Sequence, residues 1–491
     1  MRFASSLLLT AAAAALLSGC AASPPPLLIT PETIAKDAGL VRPEEIPGKG
    51  IGRTVAAGLA NNPWLRILDA DARKGDAILE EAAAQGGITA NLDVGSSSTD
   101  NPSGATSQTS RSTHVSAGIG AVLYDGGLKD AHLVEARFRA SGAQALLISG
   151  REGRALDIAV SAIHERHEQD LLARTAASAK AGKKLQGWAI TRQQLGAGHE
   201  VDVKSAGDHL DEIDARKTEA TRKLTTARAE LEAQTGLSDH YEGEIDALGP
   251  LLPKTLDEAV EQAMASNPEV VATEATIAAL HAARDAIEIE ATHPQIKVGI
   301  SPTIASGMAS MFGLGSIFAD ITMPLFDNGR AVAKMREIDA EIAKAEAEQE
   351  KARRVAKLNV KSAWASMIAA RETEANAAKR QRTNESINRD IAAGYDAGQQ
   401  VFFDLVGGEE RLFRAQVTEI DARYTLLEAE YRLAKETGRL TEVLGISTKS
   451  LTVQAIRERL VAKLHEKDAP TLEAPREIPR DVEPAPVPDV L

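Results

Sequence analysis

The densest cluster of metal-type side chains in the chain is His164-Glu165-Arg166-His167-Glu168. Two imidazoles flanked by carboxylates could hold a zinc ion, but the zinc-hydrolase helix spaces its histidines i and i+4, so that both reach one face. Here the spacing is i and i+3, within a long charged stretch, and the segment reads as a solvated helix face. No glycine-rich phosphate loop, Ser/His/Asp set or paired-carboxylate pocket is recognisable, so neither an enzyme nor a cofactor or metal is expected. A net charge of −14, without basic patches interleaved with aromatics, argues against nucleic acid.

The cysteine chemistry is more definite. Cys20 is the only cysteine of the 491 residues, which excludes disulfides and thiolate metal sites. Before it come Arg2 and an uncharged apolar run from Leu7 to Leu17, shorter than the roughly 20 residues a spanning helix needs. The run ends in Leu17-Ser18-Gly19-Cys20, which resembles the lipobox of bacterial lipoproteins. Residues 1–19 are expected to be a signal peptide and Cys20 the lipidated first residue of the mature chain. An ordinary signal peptide with an incidental cysteine is the alternative. Ala21, where an Asp would favour inner-membrane retention, points to the outer membrane. A single lipid anchor holds weakly, so a second attachment is expected.

Residues 20–50, with Pro24-Pro25-Pro26, Pro31, Pro43 and Pro47, read as a linker. Residues 446–467 read as a C-terminal helix, and the Pro-rich acidic 468–491 as a disordered tail. Between them the chain speaks twice. Asn62-Pro63 returns as Asn267-Pro268. Asp125-Gly126-Gly127 returns as Asp327-Asn328-Gly329, and Thr235-Gly236 as Thr437-Gly438. Leu195-Gly196-Ala197-Gly198 pairs with Tyr395-Asp396-Ala397-Gly398. Two repeats follow, 51–250 and 251–445, each patterned helix, strand, strand, very long helix, break, long helix.

Alternation of apolar and polar residues predicts strands at about 88–95, 113–124, 295–304 and 316–326. Their length suits tilted strands crossing a bilayer. The same alternation suits a soluble sheet half-buried against helices; the lipoprotein-type N-terminus favours the membrane. The joining loops are Thr99 to Ser112, polar, and Ala305 to Gly315, small and apolar. Proline-free stretches after Gly127 and Gly329 run to about Gln193 and Gly394, helices of about 100 Å. Such lengths are stable only when packed side by side, and Ala159, Ala162, Ala173, Ala176 and Ala177 suggest a small-residue seam. Aromatics at 3% are too few for a compact core.

These landmarks resemble the TolC family of outer-membrane channel proteins, the exit ducts of efflux pumps and type I secretion systems, over about residues 51–445. The resemblance implies a mainly α chain with a transmembrane β-barrel: four strands per protomer in a twelve-stranded barrel of a homotrimer, continuing into a long periplasmic helical tunnel. Geometry agrees on more than one copy, since a closed barrel needs about eight strands. By resemblance the helix breaks form the periplasmic tip and gate, carried onto Gly198, Tyr395, Gly398 and Asp404. The family pattern has an Asp six after the Gly, which Asp404 matches and Lys204 does not, so the two tips are expected to differ. Val401 and Gly407 also depart from it. Three copies of Asp404 would form a ring that gates or selects cations; a solvated carboxylate favoured by the helix dipole is the plainer reading. The implied partners are outer-membrane lipid, a periplasmic adaptor and an inner-membrane transporter. The implied function is a passive exit duct for small toxic compounds, with type I protein secretion as runner-up. A periplasmic coiled-coil lipoprotein scaffold is the alternative of another class.

Overall fold

A computed structural model describes residues 50–458 apart from 86, 104–105, 239, 242, 302, 306–315 and 447–452. The first helix, α1 (Ile51–Asn61), ends where Asn62 takes an extended backbone and starts α2 (Pro63–Ala84). The Asn62 side chain accepts the N–H groups of Trp64 and Leu65 at 2.9 and 3.3 Å, and Pro63 fills the first helical position, where no N–H is needed. The second repeat uses the same device between α5 (Leu256–Ser266) and α6 (Pro268–Thr292). There Asn267 accepts from Glu269 and Val270 at 3.0 and 3.2 Å.

Strands β1 (Thr89–Ser103) and β2 (Thr106–Tyr124) follow α2; β3 (Gln295–Ser301), β4 (Thr303–Ala305) and β5 (Ser316–Thr322) follow α6. All pairings are antiparallel, in the order β1-β2-β3-β5, with β4 beside β2. The β1–β2 ladder runs without a break from Thr89↔Gly120 to Ser103↔Thr106, so most of the expected loop at 99–112 is strand. The alternation signal vanishes beyond Val94 because both faces become polar, although the backbone pairing continues. β5 stops short of 326, and Pro324, which has no N–H to donate, lies just past its end. Nearly all of the expected apolar loop, 305–315, lies outside the described residues, as does most of 446–467; a helix is described at 453–458.

Two helices of 67 residues, α3 (Leu128–Gln194) and α7 (Arg330–Asp396), leave the sheet and are about 100 Å long. Each turns back into a shorter partner, α4 (Glu200–Thr235) or α8 (Phe402–Glu436). The seam of α3 is built of small residues, with Ala155, Ala159 and Ala162 fully buried. Ala173, Ala176 and Ala177, expected there, are exposed; Thr175, Ser178, Ala179 and Gly182 take the inward positions. A Cβ on Gly182 would lie 3.2 Å from Ile213 Cδ1, so glycine allows the close approach of α4.

The main core gathers α1, the start of α2, α5, the mid-lengths of α3 and α7 and the C-terminal half of α8 around Leu59, Leu65, Ile158, Ile163, Met367, Tyr431 and Leu433. Three buried glutamates hold the connecting segments onto it. Glu165 accepts the Tyr241 N–H at 3.1 Å and the Arg228 guanidinium at 3.2 Å. Glu430 accepts the N–H groups of Leu248 and Gly249, where a 3₁₀ turn (Gly249–Leu251) begins. Glu152 accepts the Leu440 N–H at 3.0 Å and the Thr441 N–H and hydroxyl, capping the short α9 (Leu440–Val443). A backbone end buried without such acceptors would leave unsatisfied donors.

Candidate functional site

The sheet presents two unlike faces. Opposed residues of neighbouring strands share a face, and successive residues alternate. One face carries Ala90, Leu92, Val94, Ile119, Ala121, Ile296, Val298, Ile300, Ile317, Ala319 and Ile321. Most of its large residues stand in the open, Ile317 at 82% exposure, while Ile296 and Val298 are half-buried. The other face is mainly polar or glycine, carrying Thr89, Asn91, Asp93, Gly118, Gly120, Lys297, Gly299 and Asp320, with Val122 and Phe318 among them. Among the described residues β1 and β5 each pair on one side only. A wholly apolar exposed face of this extent requires a cover. No helix among the described residues is long and apolar enough to cross a membrane.

Two turns join the sheet to the long helices, and they are copies of one another. Asp125 accepts the N–H of Gly127 at 2.9 Å and of Lys129 at 3.0 Å. Asp327 accepts from Gly329 at 2.9 Å and Ala331 at 2.7 Å. These backbone bonds, Ala331 first, hold the Asp327 carboxyl below its usual value. Gly127 and Gly329 lie in the left-handed region at φ +92° and +80°, and the middle residues Gly126 and Asn328 are left-handed too. Asparagine tolerates that conformation better than other residues with a Cβ.

The far ends of α3 and α7 carry the second set of singled-out residues. Gly398 is left-handed at φ +73°, and its first-repeat counterpart is Gly196, also at +73°. Both close a helix in the same way. Gly196 donates to Gln193 and Ala197 to Arg192, while Gly398 donates to Tyr395 and Gln399 to Gly394. Gly198, the sequence candidate, is not left-handed. A Cβ there would lie 2.9 Å from the Gln193 nitrogen, so it is glycine because the chain passes close to the last turn of α3.

This register replaces the expected difference between the tips. Six residues past Gly196 stands Asp202, not Lys204. Asp202 accepts the His199 N–H at 3.2 Å, and Asp404 accepts the Val401 N–H at 3.4 Å. Each closes the first turn of its helix from the third position, where a carboxylate also suits the dipole. Lys204 is exposed and pairs with Glu200 at 2.7 Å. The offset between Asp125 and Asp327 is shared by Thr235 and Thr437. Applied to Gly398 it lands on Gly196, a signal already present in the sequence.

Tyr395 is buried between the two hairpins. Its ring meets Phe402 edge-on at 6.0 Å, and the Arg192 guanidinium lies 4.8 Å above it. Leu185, Ala189 and Ala206 close the cluster with Leu405. Leu195, Val201, Val401 and Phe403 remain exposed around the two turns. Further along, Arg216 of α4 grips Glu410 of α8 with two bonds of 2.8 and 2.9 Å. Burial pushes the Glu410 carboxyl up, but Arg216 and Arg414 outweigh it and hold it low. His167 of the sequence cluster bonds Asp421 at 2.8 Å, while His164 is exposed. Beside them Tyr424 donates to Asp170 at 2.7 Å, and burial with that bond pushes its phenol up to about 12. No group of acidic, histidine or cysteine residues suited to a metal occurs among the described residues. Cys20 lies outside them.

The strand-helix turns and the tips thus lie at opposite ends of the same long helices. Residues 259–439 match the family model of outer membrane efflux proteins. The fold superposes on solved outer membrane proteins. One is the CmeC outer membrane channel of Campylobacter jejuni, with a TM-score of 0.68 at 12% identity, covering 84% of this chain and 89% of that one. Another is the outer membrane protein VceC of Vibrio cholerae, with 0.67 at 15%, covering 79% and 96%. The chain has the fold of these outer membrane proteins. Outer membrane efflux protein BepC of Brucella suis biovar 1 (strain 1330) is 23% identical over 278 residues, 52% of this chain. The match spans 56% of that relative's length. In this chain the two helical hairpins carry equivalent caps at their tips, and the asymmetry lies in the side chains around them.

Proposed function

We propose that the chain is one of three identical subunits of a passive outer-membrane duct, the outlet of an efflux machine for small toxic compounds. The observation that carries this reading is the sheet. Its apolar face is exposed and its opposite face polar, as a strand between lipid and lumen requires. Among the described residues too few strands occur for a closed barrel, and both edge strands are open to further copies. The lipid on Cys20 supplies the second attachment.

The exposed apolar residues at the tips, Leu195, Val201, Val401 and Phe403, form the surface that meets a periplasmic adaptor and, through it, an inner-membrane transporter. Tyr395, Gly398 and Asp404, with Gly196 and Asp202 in the other hairpin, form the gate. The small-compound cargo is favoured by the efflux relatives and by the lipid signal at the N-terminus.

Detergent-extracted protein, run unboiled in SDS, should migrate as a trimer and should conduct ions in a planar bilayer. A Cys20→Ala protein released by alkali as a monomer, without detergent, would overturn the barrel. Loss of the chain should raise cellular accumulation of toxic small molecules while leaving protein secretion intact.

A further inference from the structure

One row of residues crosses the polar face of the sheet: Thr89 on β1, Gly120 on β2, Gly299 on β3 and Phe318 on β5, each directly opposite the next. Phe318 is the only aromatic residue on that face among the described strand residues. Its ring lies over Gly299, where a Cβ would come within 2.5 Å of Cζ and within 2.7 Å of the Ile119 carbonyl oxygen. Glycine is therefore what lets the ring lie across the strand, yet Phe318 is still 43% exposed. Beside it Gly120 is uncovered; a Cβ there would meet only the Val298 carbonyl oxygen at 3.5 Å and the Thr89 hydroxyl oxygen at 3.9 Å. The ring thus borders an open strip of backbone, closed on its far side by Thr89.

Charge surrounds this strip unevenly. Asp320 lies two residues past Phe318, opposite Lys297, and Asp93 stands on the same face of β1. Among the described residues of this face the carboxylates outnumber the ammonium, and Asp320 lies nearest the ring along the strand. An exposed ring next to a flat backbone floor favours planar aromatic solutes, and these carboxylates favour those carrying a positive charge.

We propose that Phe318, with the Gly120–Gly299 floor, is a contact site for planar aromatic cations in the barrel lumen, so that this residue sets cargo preference at the outlet. The site rests on the channel reading above. Three copies would place three rings at one level of the lumen.

The test is block of ion conductance by ethidium, with the full-length protein in a planar bilayer and the dye added from the barrel side. Phe318→Ala should raise the half-blocking concentration about tenfold, the size expected for a ring–cation contact. Phe318→Trp should hold or lower it, and Asp320→Asn should raise it a few-fold. Phe318→Leu keeps an apolar cover on Gly299 without an aromatic face and should behave as Phe318→Ala does, which separates binding from folding. Half-blocking concentrations within twofold of wild type for both Phe318→Ala and Phe318→Leu would overturn the site while leaving the channel intact. Wild-type protein that never conducts would overturn the channel reading and the site with it.

Discussion

Gly196 and Gly398 share a φ of +73° and terminate helices of equal length. The two tips are therefore one motif used twice, and the chain's duplication reaches its far ends. Replacing either glycine by alanine forces a left-handed residue, at a cost of roughly 1–2 kcal/mol. Hydrogen exchange of the amides in the last turn of α3 or α7 should quicken by about a factor of ten in each variant, and to the same degree. Asparagine at either position should restore part of the protection.

Tyr395→Ala removes the edge contact with Phe402 and the ring beneath Arg192. Truncation of a buried aromatic costs about 3–5 kcal/mol, here concentrated in a small satellite cluster remote from the main core. The tip should loosen without global unfolding. Raised single-channel conductance with an unchanged melting temperature would show this; an unchanged conductance would remove Tyr395 from the gate.

Glu152 gives a pH dependence. Burial raises its carboxyl above the ordinary 4.5, against the opposing bonds from Thr441 and Leu440. A raised carboxyl binds protons more tightly in the folded chain. Its contribution is full below the unfolded value and falls as pH rises through the folded one. Glu152→Gln keeps an acceptor for the α9 N–H groups and removes the buried charge. It should be at least as stable as wild type at pH 8, and relatively less favoured at pH 4. Glu152→Ala leaves those donors bare and should cost about 1–3 kcal/mol at both. Denaturant melts at the two pH values distinguish the outcomes.

Arg216 and Glu410 link the two hairpins by a bidentate pair whose partners are partly exposed. Solvent screening limits its worth to about 1 kcal/mol. A double-mutant cycle on Arg216→Ala and Glu410→Ala should return a coupling of that size, reduced in 1 M salt.

Much of this was legible in the residues. Asn62-Pro63 and Asn267-Pro268 announce helix starts because capping and a missing N–H are local properties. Asp125 and Asp327 announce the turns for the same reason. The long helices follow from the absence of proline, and their ends fall within two residues of expectation. What failed was register. Gly198 aligns with Gly398 by adjacency in a short string, yet backbone conformation singles out Gly196. That error alone produced the apparent mismatch of Lys204 with Asp404 and hid Asp202. The polar extension of the β1–β2 ladder is also hidden in the sequence, since a strand whose residues are polar on both faces has no amphipathic period. Phe318 alternates in the sequence with Ile317 and Ala319, on the side of Asp320. Only the pairing shows that it stands opposite Gly299.

The equality of α3 and α7 imposes a rule on how such a chain can change. Each residue inserted into one of them carries its tip about 1.5 Å further and swings it by about 100° around the axis. An insertion in α3 alone would put the Gly196 turn out of step with the Gly398 turn, and would pull Arg192 away from the ring it covers. The two helices are matched rulers. Length can be gained or lost only in both at once, by the same count, and most readily by seven, which returns a helix nearly to its starting face.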